Sequence, residues 1–322
     1  MKSYWIVVRG KESVLEPREA PMPVAKRGEI VLRVHAAGLN AGELIVGGAV
    51  HGGGEKLGGT EASGVVTAVG EGVSDWKVGD HVFGRARGSF AEHAVMAVGQ
   101  AMPKPPGLSW EEAAAIPSAF ITAYEAVVEY GKLQRGEWLL VTAATSGVGV
   151  AAIQIAKLMG AKTIGTSGSA DKLGKLASVG LDVGIPTRAP DFADTVMKST
   201  GGKGANVAIS LAGGSVFPEI LRSLAYEGRV AIVGYMDGVY HPEIDLEYLH
   251  INRWQVFGIS NAKLPPERRF ETTAGFKRDV LPAFMDGRIK PVVDRVFAFH
   301  ELPEAKTHMN SATRVGKVVV RM

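Results

Sequence analysis

The stretch VTAATSGVGVAAIQIAK, from Val141 to Lys157, decides the fold of this chain. It begins as a hydrophobic strand, passes through a loop of small residues with Gly147 and Gly149, and continues as an amphipathic helix. A strand, a glycine turn and a helix form the dinucleotide-binding unit, in which the free N–H groups of the helix N-terminus face a pyrophosphate. Side chains at the turn would hold the phosphates away, so the spacing favours a cofactor site. A plain tight turn between strand and helix is the alternative interpretation.

The same alternation of strands and helices continues on either side of this stretch. We expect strands at Trp138–Ala143, Lys162–Gly165, Asp182–Ile185, Val207–Leu211, Arg229–Val233 and Gln255–Ile259. We expect helices near Val148–Met159, Asp171–Val179, Asp191–Ser199 and Val216–Ala225. Such repeated units predict an α/β fold, a Rossmann-type doubly wound parallel sheet covered by helices.

The two ends of the chain have a different pattern. Up to about Gly107 short strands alternate with glycine turns, which predicts an irregular β barrel or sandwich. A proline-rich connector, Met102–Pro117, follows, and its Ser109-x-x-Glu112 spacing predicts a helical capping box. The tail from Ile289 returns to short β segments. The sequence therefore predicts a β-rich domain made from both ends of the chain.

Composition limits the classes of function. The 322 residues are 46% hydrophobic and 21% charged, as in a globular protein with a sizeable core. There is no cysteine, which excludes disulfides, thiolate metal sites and cysteine nucleophiles. The net charge of +3 is too small and too dispersed to predict nucleic-acid binding. No apolar stretch approaches the roughly 20 residues needed to cross a membrane, and the N-terminus does not read as a signal peptide, so we expect a cytoplasmic enzyme.

The residues at the end of the second strand distinguish a site for NAD from a site for NADPH. NAD-binding units carry Asp or Glu there, about 20 residues after the glycines, to hold the ribose hydroxyls. This chain has Thr166–Gly168 at that place, and its next acid, Asp171, reads as a helix N-cap. Lys172 and, after the third strand, Arg188 are candidates for a 2′-phosphate, although Lys172 also fits an exposed helix lysine. The missing acid predicts NADPH as the cofactor.

At this level of detail the chain resembles the zinc-free medium-chain dehydrogenases/reductases, specifically their quinone oxidoreductase branch. The resemblance covers essentially the whole chain and rests on the order and spacing of Ala36–Leu44 (AAGLNAGEL), Gly58–Gly84, Gly88–Val95, the stretch quoted above, and Gly287–Met309. It implies a GroES-like catalytic domain of residues 1–116 and 263–322. It also implies a Rossmann domain of residues 117–262 and a cleft at their junction.

The resemblance also defines where the chain departs from zinc-dependent relatives. They carry a cysteine where this chain has Asn40 and a histidine where it has Thr60. Their long cysteine-bearing loop is missing, since the chain runs directly from Gly84 to Phe90. Neither position offers a usual zinc ligand, so we predict no metal. Without a Lewis acid, a conjugated acceptor such as a quinone or enone is the expected substrate.

Site residues follow from the resemblance, position by position. The predicted catalytic residues are Asn40, Thr122 and His51. The predicted cofactor-binding residues are Asn40, Thr122, Ser146, Gly147, Val148, Gly149, Ser167, Lys172, Arg188, Leu211, Val233, Gly234, Tyr235, Phe257 and Ile259. Asn40 and Thr122 are expected at the nicotinamide end, and Ser146–Val148 at the pyrophosphate. His51 is a candidate proton donor, with an exposed loop residue as the alternative.

Several positions differ from the usual pattern of the branch. Two tyrosines that often follow the matching asparagine are Ile45 and His51 here, a frequent aspartate is Ser210, and a cofactor-contacting tyrosine is Thr187. The substrate preference of the branch is therefore not carried over.

The sequence predicts an NADPH-dependent, metal-independent reductase of quinones or activated alkenes. An enoyl-thioester reductase is one alternative. A non-catalytic NADPH-binding protein, like the crystallins or RNA-binding members of the branch, is another. We expect a homodimer, because Trp254–Ile259 reads as a hydrophobic strand at the sheet edge.

Overall fold

A computed structural model describes residues 1–10, 12–44 and 54–322 of the chain. It contains two compact units: Met1–Ile121 together with Ala262–Met322, which we call the β-rich unit, and Thr122–Asn261, which we call the parallel-sheet unit. The expected domain boundaries at 116/117 and 262/263 remain predictions. The first of them falls at the start of helix Pro117–Tyr124, and the two compact units part within that helix.

The parallel-sheet unit is built on six strands. They are Trp138–Val141, Lys162–Thr166, Val183–Ile185, Ala205–Ser210, Leu224–Ile232 and Gln255–Gly258, numbered β9 to β14 in chain order. All neighbouring pairs are parallel, in the spatial order β11-β10-β9-β12-β13-β14. The order reverses beside β9, as in a doubly wound dinucleotide-binding sheet. This confirms the predicted fold class.

Helices connect these strands. They are α4 (Gly147–Leu158), α5 (Ala170–Leu176), α6 (Ala193–Ser199), α7 (Phe217–Arg222) and α8 (Leu246–Ile251). A π-helical turn, Glu125–Glu129, precedes the sheet, and 3₁₀ turns lie at Ala177–Val179 and Gly214–Val216. Buried Leu140, Ile164 and Val230 pack with helix residues such as Ile220 in one core.

Local expectations differ from the structure at two places in this unit. The N-cap of α5 is Ser169, whose hydroxyl accepts from the Lys172 N–H, so the expectation of Asp171 as N-cap is wrong. Asp171 lies in the first turn, where a carboxylate favours the helix dipole. Strand β13 also begins at Leu224, earlier than the expected Arg229, because α7 already ends at Arg222.

The β-rich unit holds ten strands in the described residues. They are β1 (Lys2–Arg9), β2 (Glu12–Glu19), β3 (Glu29–Gly38), β4 (Glu55–Leu57), β5 (Glu61–Val69), β6 (His81–Arg85), β7 (His93–Ala97), β8 (Ala101–Pro103), β15 (Val293–Ala298) and β16 (Lys317–Arg321). One sheet has the order β2-β1-β4. The other has the order β15-β16-β3-β5-β6-β8, with β7 also paired to β3. Both chain ends therefore contribute to one sheet, as predicted.

Helices complete this unit, and one of them, Pro117–Tyr124, ends within the parallel-sheet unit. They are α1 (Ala41–Leu44), α2 (Trp110–Ala114), α3 (Pro117–Tyr124), α9 (Pro266–Asp279), α10 (Leu281–Met285) and α11 (Leu302–Met309), with 3₁₀ turns at Val98–Gln100 and Phe299–Glu301. The predicted capping box is present at α2, where Ser109 and Glu112 exchange hydrogen bonds of 3.1 and 2.8 Å. The core of the unit lies on the inner face of the larger sheet, around fully buried Ile30, Leu32 and Val66.

No helix in the described part of the chain is long and apolar enough to cross a membrane.

Candidate functional site

The carboxyl ends of the six parallel strands lie at one edge of the sheet, because all six run in the same direction. In open sheets of this kind ligands bind beyond this edge, where the strand order reverses. Most of the predicted cofactor residues follow strand ends: Ser146 to Gly149 after β9, Ser167 and Lys172 after β10, Arg188 after β11, Leu211 after β12, and Val233 to Tyr235 after β13. The topology thus brings them to a single edge.

Helix α4 presents its N-terminus at this edge. Ser146 is the N-cap, and its hydroxyl accepts from the Gly149 N–H at 3.2 Å. The N–H groups of Gly147 and Val148 have no intrahelical acceptor, since the first turn of a helix leaves them unused. Ser146, Gly147 and Val148 are only half-buried. These donors and the positive end of the helix dipole fit a pyrophosphate.

The structure places Gly147 and Gly149 differently from the sequence pattern and gives Gly149 a packing role. They lie in the first turn of α4, not in the preceding loop, which is formed by residues 142–145. A Cβ on Gly149 would lie 2.5 Å from the Ala144 carbonyl oxygen, so this glycine lets the helix pack against its own loop. In that loop Ala143 has a φ of 49°, a left-handed conformation rare for a residue with a side chain.

Hydrogen bonds fix the loops of the edge to one another. The Ala144 N–H donates to Thr166 at 2.9 Å, which joins the loop after β9 to the end of β10. The Thr142 hydroxyl accepts from the Leu211 N–H at 3.0 Å, and the Gly234 N–H donates to Ser210 at 3.1 Å. The edge is therefore a preformed surface made mainly of backbone.

Basic side chains lie where an NAD-binding chain would carry an acid. Thr166 and Ser167 are buried at the end of β10, and Gly168 is exposed beyond them. The exposed Arg188 lies against Gly168, since a Cβ on that glycine would be 2.3 Å from its Nε. Lys172 is half-buried in the first turn of α5. Arg188 thus lies beside Gly168, and Lys172 follows four residues after it in the chain.

The remaining predicted cofactor residues of this unit divide into two groups. The Gly234 backbone lies close to Leu211, and Ile259 donates its N–H to Ile232 at 2.9 Å, so both belong to the strand ends. The Phe257 ring instead stacks on Tyr130 with 5.8 Å between centroids. It lines a groove of about 920 Å³ together with Asn206 and Arg229, residues near the starts of strands. The prediction for Phe257 concerns only its backbone in the cofactor groove, and the position of the ring does not test it.

Thr122 lies in α3 and is half-buried. The π-helical turn Glu125–Glu129 follows it directly. Turns of this type are frequent at functional sites, because they displace side chains from the regular helical positions.

In the β-rich unit the predicted site residue Asn40, itself half-buried, contacts a group of buried charged side chains. We call Asn40, Glu43, Glu61 and Lys317 the Asn40 cluster. Lys317 Nζ donates to Asn40 Oδ1 at 2.6 Å and pairs with Glu61 Oε1 at 2.5 Å. Asn40 Nδ2 donates to the same Glu61 oxygen at 2.8 Å and to the Thr60 hydroxyl at 3.3 Å.

Strand pairing assembles the cluster from distant parts of the sequence. Val319 of β16 pairs with Gly38 of β3, and Ala37 of β3 pairs with Ala62 of β5. Gly38 also leaves the space for the Glu61 carboxylate, because a Cβ there would lie 2.4 Å from Glu61 Oε1. Glu61 is fully buried, and its Oε2 accepts from the Ser118 N–H at 2.6 Å.

Glu43 is the second carboxyl group of the cluster and is also buried. Its Oε1 accepts from the Asn40 N–H at 3.0 Å. Burial raises the pKa of Glu43 to about 7, and the Glu61 charge adds to this, while the bond from Asn40 acts in the opposite direction. The cluster thus holds one ammonium, one carboxylate paired with it, and a carboxyl group that is half-ionised near neutral pH.

Zinc does not fit the donors of this cluster. A carboxamide and a hydroxyl stand at the two positions where zinc-dependent relatives carry ligands, and the carboxamide oxygen already faces an ammonium. In residues 1–10, 12–44 and 54–322 no three His, Asp or Glu side chains are grouped to hold a metal ion. His51 and Ile45 lie outside the described residues.

Sequence reasoning missed Glu43, Glu61 and Lys317. For two of them the sequence carries a signal, a charged residue at the start of an apolar strand pattern: Glu61 begins EASGVV, and Lys317 begins KVVV. A buried charge requires a partner, but the pattern does not say which.

Two family models match the chain. The model described as alcohol dehydrogenase GroES-like domain matches residues 26–106, and the one described as zinc-binding dehydrogenase matches residues 147–275. The first falls in the β-rich unit, and the second falls mainly in the parallel-sheet unit.

Curated relatives match over almost the whole chain. The human synaptic vesicle membrane protein VAT-1 homolog is 31% identical over 326 residues, which cover 95% of this chain and 82% of the relative. A phenolphthiocerol/phthiocerol polyketide synthase polypeptide of Mycobacterium tuberculosis is 30% identical, and the match covers 97% of this chain but 14% of that protein. The chain thus corresponds to a small part of the second relative.

Solved structures are similar over the full chain. An NAD-dependent alcohol dehydrogenase has a TM-score of 0.89 at 31% identity, and a mycobacterial protein complexed with NADPH has 0.90 at 25%, each with 100% of both chains covered. A quinone oxidoreductase of Pseudomonas syringae has 0.85 and an enoyl reductase 0.84, each at 26% identity, covering 100% of this chain and 99% of the other. The chain therefore belongs to the medium-chain dehydrogenase/reductase family of oxidoreductases, in its zinc-free, quinone oxidoreductase-like branch.

Proposed function

We propose that this oxidoreductase uses NADPH to reduce a quinone or an activated alkene without a metal ion. The observation that carries the proposal is the Asn40 cluster, in which the Lys317 ammonium donates a hydrogen bond of 2.6 Å to the carboxamide oxygen of Asn40. A cation in this place opposes a second cation, so a substrate that needs a Lewis acid is disfavoured. A conjugated acceptor needs none, because its hydride adduct is a delocalised anion.

The preference for NADPH is supported by the end of β10. A carboxylate on Thr166–Gly168 is missing, Arg188 lies beside Gly168, and Lys172 follows four residues after it in the chain. A charge-assisted bond to a phosphate is shorter and about twice as strong as a neutral one. The mycobacterial neighbour with bound NADPH is in agreement with this choice.

The bound nicotinamide supplies a hydride, which the protein directs by orientation. A quinone takes the hydride and one proton from water, which gives a hydroquinone and NADP⁺. An enone takes the hydride at its β carbon and a proton at its α carbon. In this proposal Asn40 and Thr122 act at the nicotinamide end, and His51 is the candidate donor of the α proton.

The test compares acceptors with one enzyme preparation. NADPH oxidation is followed at constant enzyme with a para-quinone, a small enone and a crotonyl thioester, before and after extended treatment with EDTA. We expect the quinone or the enone to be reduced fastest and the rates to survive EDTA. Loss of turnover on chelation, restored by Zn²⁺, would refute the metal-free mechanism.

The enoyl reductase among the similar structures favours a second candidate, reduction of an enoyl thioester. Fastest turnover of the crotonyl thioester would select it. Binding of NADPH without oxidation by any acceptor would select the non-catalytic alternative. A His51→Ala variant should retain quinone reduction and slow only the enone reaction, because a quinone draws its proton from water.

We also propose a homodimer that pairs through β14. This strand is the last in the sheet order, and its Val256 is exposed. An edge strand with unpaired backbone groups is a template for a second copy. Light scattering at micromolar concentration should give twice the mass of the 34.0 kDa chain, and a monomer would contradict the pairing.

A further inference from the structure

The Asn40 carboxamide has its orientation imposed by neighbours with fixed hydrogen-bond roles. An ammonium can only donate, so the carboxamide atom that faces Lys317 Nζ at 2.6 Å must be the oxygen. An ionised carboxylate can only accept, so the atom that faces Glu61 Oε1 at 2.8 Å must be the nitrogen. The usual ambiguity of amide orientation therefore does not arise at this position.

The hydrogen-bonding capacity of Asn40 can then be counted. Its Nδ2 has two N–H bonds, and these go to Glu61 and to the Thr60 hydroxyl. Its Oδ1 accepts two bonds, and Lys317 supplies one of them. Counted against the described residues, what the half-buried Asn40 still offers is a single acceptor position on Oδ1.

We propose that Lys317 and Glu61 are positioning residues that convert Asn40 into an acceptor-only contact, so that its ligand is a hydrogen-bond donor of the nicotinamide half of the cofactor. The inference rests on the proposed function and refines it. A quinone or enone carbonyl, and the oxyanion formed from it, accept hydrogen bonds and cannot use this position. Asn40 consequently holds the cofactor and does not polarise the substrate.

Two donors of the cofactor have the required chemistry: a ribose hydroxyl and the carboxamide N–H of the nicotinamide ring. Both are neutral donors that meet a neutral acceptor. The 3-acetylpyridine analogue of NADPH separates them, because it carries a methyl group in place of the amide nitrogen and keeps the ribose.

The experiment measures dissociation constants of NADPH and of the analogue by fluorescence titration. The main variant is Glu61→Gln with Lys317→Met, which removes both members of the ion pair together, so that neither is left without the other. A second variant, Asn40→Leu, removes the acceptor and retains the ion pair. The control pair, Glu137→Gln with Arg229→Met, removes another partly buried ion pair, which lies near the strand starts of the parallel-sheet unit.

We expect NADPH to bind about fivefold more weakly to the main variant and to Asn40→Leu, the size of one lost hydrogen bond. Combining the two sets of changes should weaken binding no further, because both act on the same contact. The control should stay within twofold of the wild type. If the analogue shows no loss with the main variant, the donor is the carboxamide N–H; if it shows the same loss as NADPH, the donor is the ribose hydroxyl.

Either of two results would overturn the inference. One is NADPH affinity unchanged in both variants. The other is a loss with Asn40→Leu but none with the folded main variant, since Lys317 and Glu61 then do not act through Asn40. Should the main variant not fold, an Asn40→Leu protein that binds NADPH like the wild type decides against it. A wild type that does not bind NADPH at all refutes the proposed function instead.

Discussion

The edge of the parallel sheet and the Asn40 cluster are both polar surfaces with fixed geometry, but different groups hold them in place. At the edge, loops after β9, β10, β12 and β13 are joined by backbone hydrogen bonds, and the side chains are small. In the Asn40 cluster one carboxamide is held by a buried ammonium and a buried carboxylate. A surface made of backbone groups accepts many different side chains at most of its positions. A substitution disrupts it only where the new side chain has no space. A charged cluster fails wherever one charge loses its partner.

The largest effect should come from breaking the charge balance of the cluster. Lys317→Met leaves the fully buried Glu61 carboxylate without its cation, which should lower the free energy of unfolding by about 3–5 kcal/mol. Urea unfolding of the wild type, both single variants and Glu61→Gln with Lys317→Met gives the coupling. We expect the double variant to be more stable than Lys317→Met alone, and additive losses would show that the pair is not coupled.

The second effect concerns Glu43 and depends on pH. Its folded-state pKa of about 7 lies above the value of the unfolded chain, so the folded protein binds the proton more tightly. This contribution to stability is complete below the unfolded pKa and is lost as the pH rises through about 7. The bond from the Asn40 N–H and the Lys317 ammonium favour the ionised form of Glu43, but the cost of burial outweighs both.

Glu43→Gln provides the measurement, since the amide oxygen can still accept from the Asn40 N–H. The difference in unfolding free energy between wild type and variant should fall by up to about 3 kcal/mol from pH 4.5 to pH 8. Taking the difference cancels the titration of other groups. A difference independent of pH would mean that the pKa of Glu43 is the same in the folded and unfolded states.

The sequence predicts the two regions unequally. Residues that are close in sequence predict the doubly wound sheet and the N-terminus of α4. The apolar runs indicate the strands, and Ser146 and Gly149 indicate the start of the helix. The Asn40 cluster joins residues 40, 43, 61 and 317, and the partner of each charge is set by strand register. Periodicity carries no information on register between distant strands, so Asn40 was found by resemblance and its partners were not.

Substitution of Gly149 tests whether the edge of the parallel sheet depends on close packing of backbone groups. An alanine Cβ would lie 2.5 Å from the Ala144 oxygen and 2.8 Å from its carbonyl carbon, and neither can rotate away. We expect Gly149→Ala to cost about 1–3 kcal/mol of stability and to weaken NADPH binding, because the N-terminus of α4 must move.

The matched control for Gly149 is Gly174, inside α5. Apart from the backbone of its own helix and its chain neighbours, no described atom lies within 4 Å of the position that its Cβ would take. Gly174→Ala should therefore raise stability by roughly 0.5–1 kcal/mol through helix propensity. Equal effects at the two glycines would show that Gly149 is not required by packing.

The last effect is expected on cofactor binding at the end of the edge beside Gly168, where side chains and not backbone groups would make the contacts. Arg188 lies against Gly168, and Lys172 stands in the first turn of α5. A charge-assisted bond from either cation to a 2′-phosphate would be made by NADPH alone, so loss of one should weaken NADPH by about tenfold, or roughly 1.4 kcal/mol, and leave NADH nearly unchanged. The measurement is a titration of both cofactors with Arg188→Ala, Lys172→Ala and, as the control, Lys175→Ala on the same helix. If both cofactors weaken equally, the two cations do not read the phosphate. If only one variant discriminates, that residue alone sets the preference for NADPH.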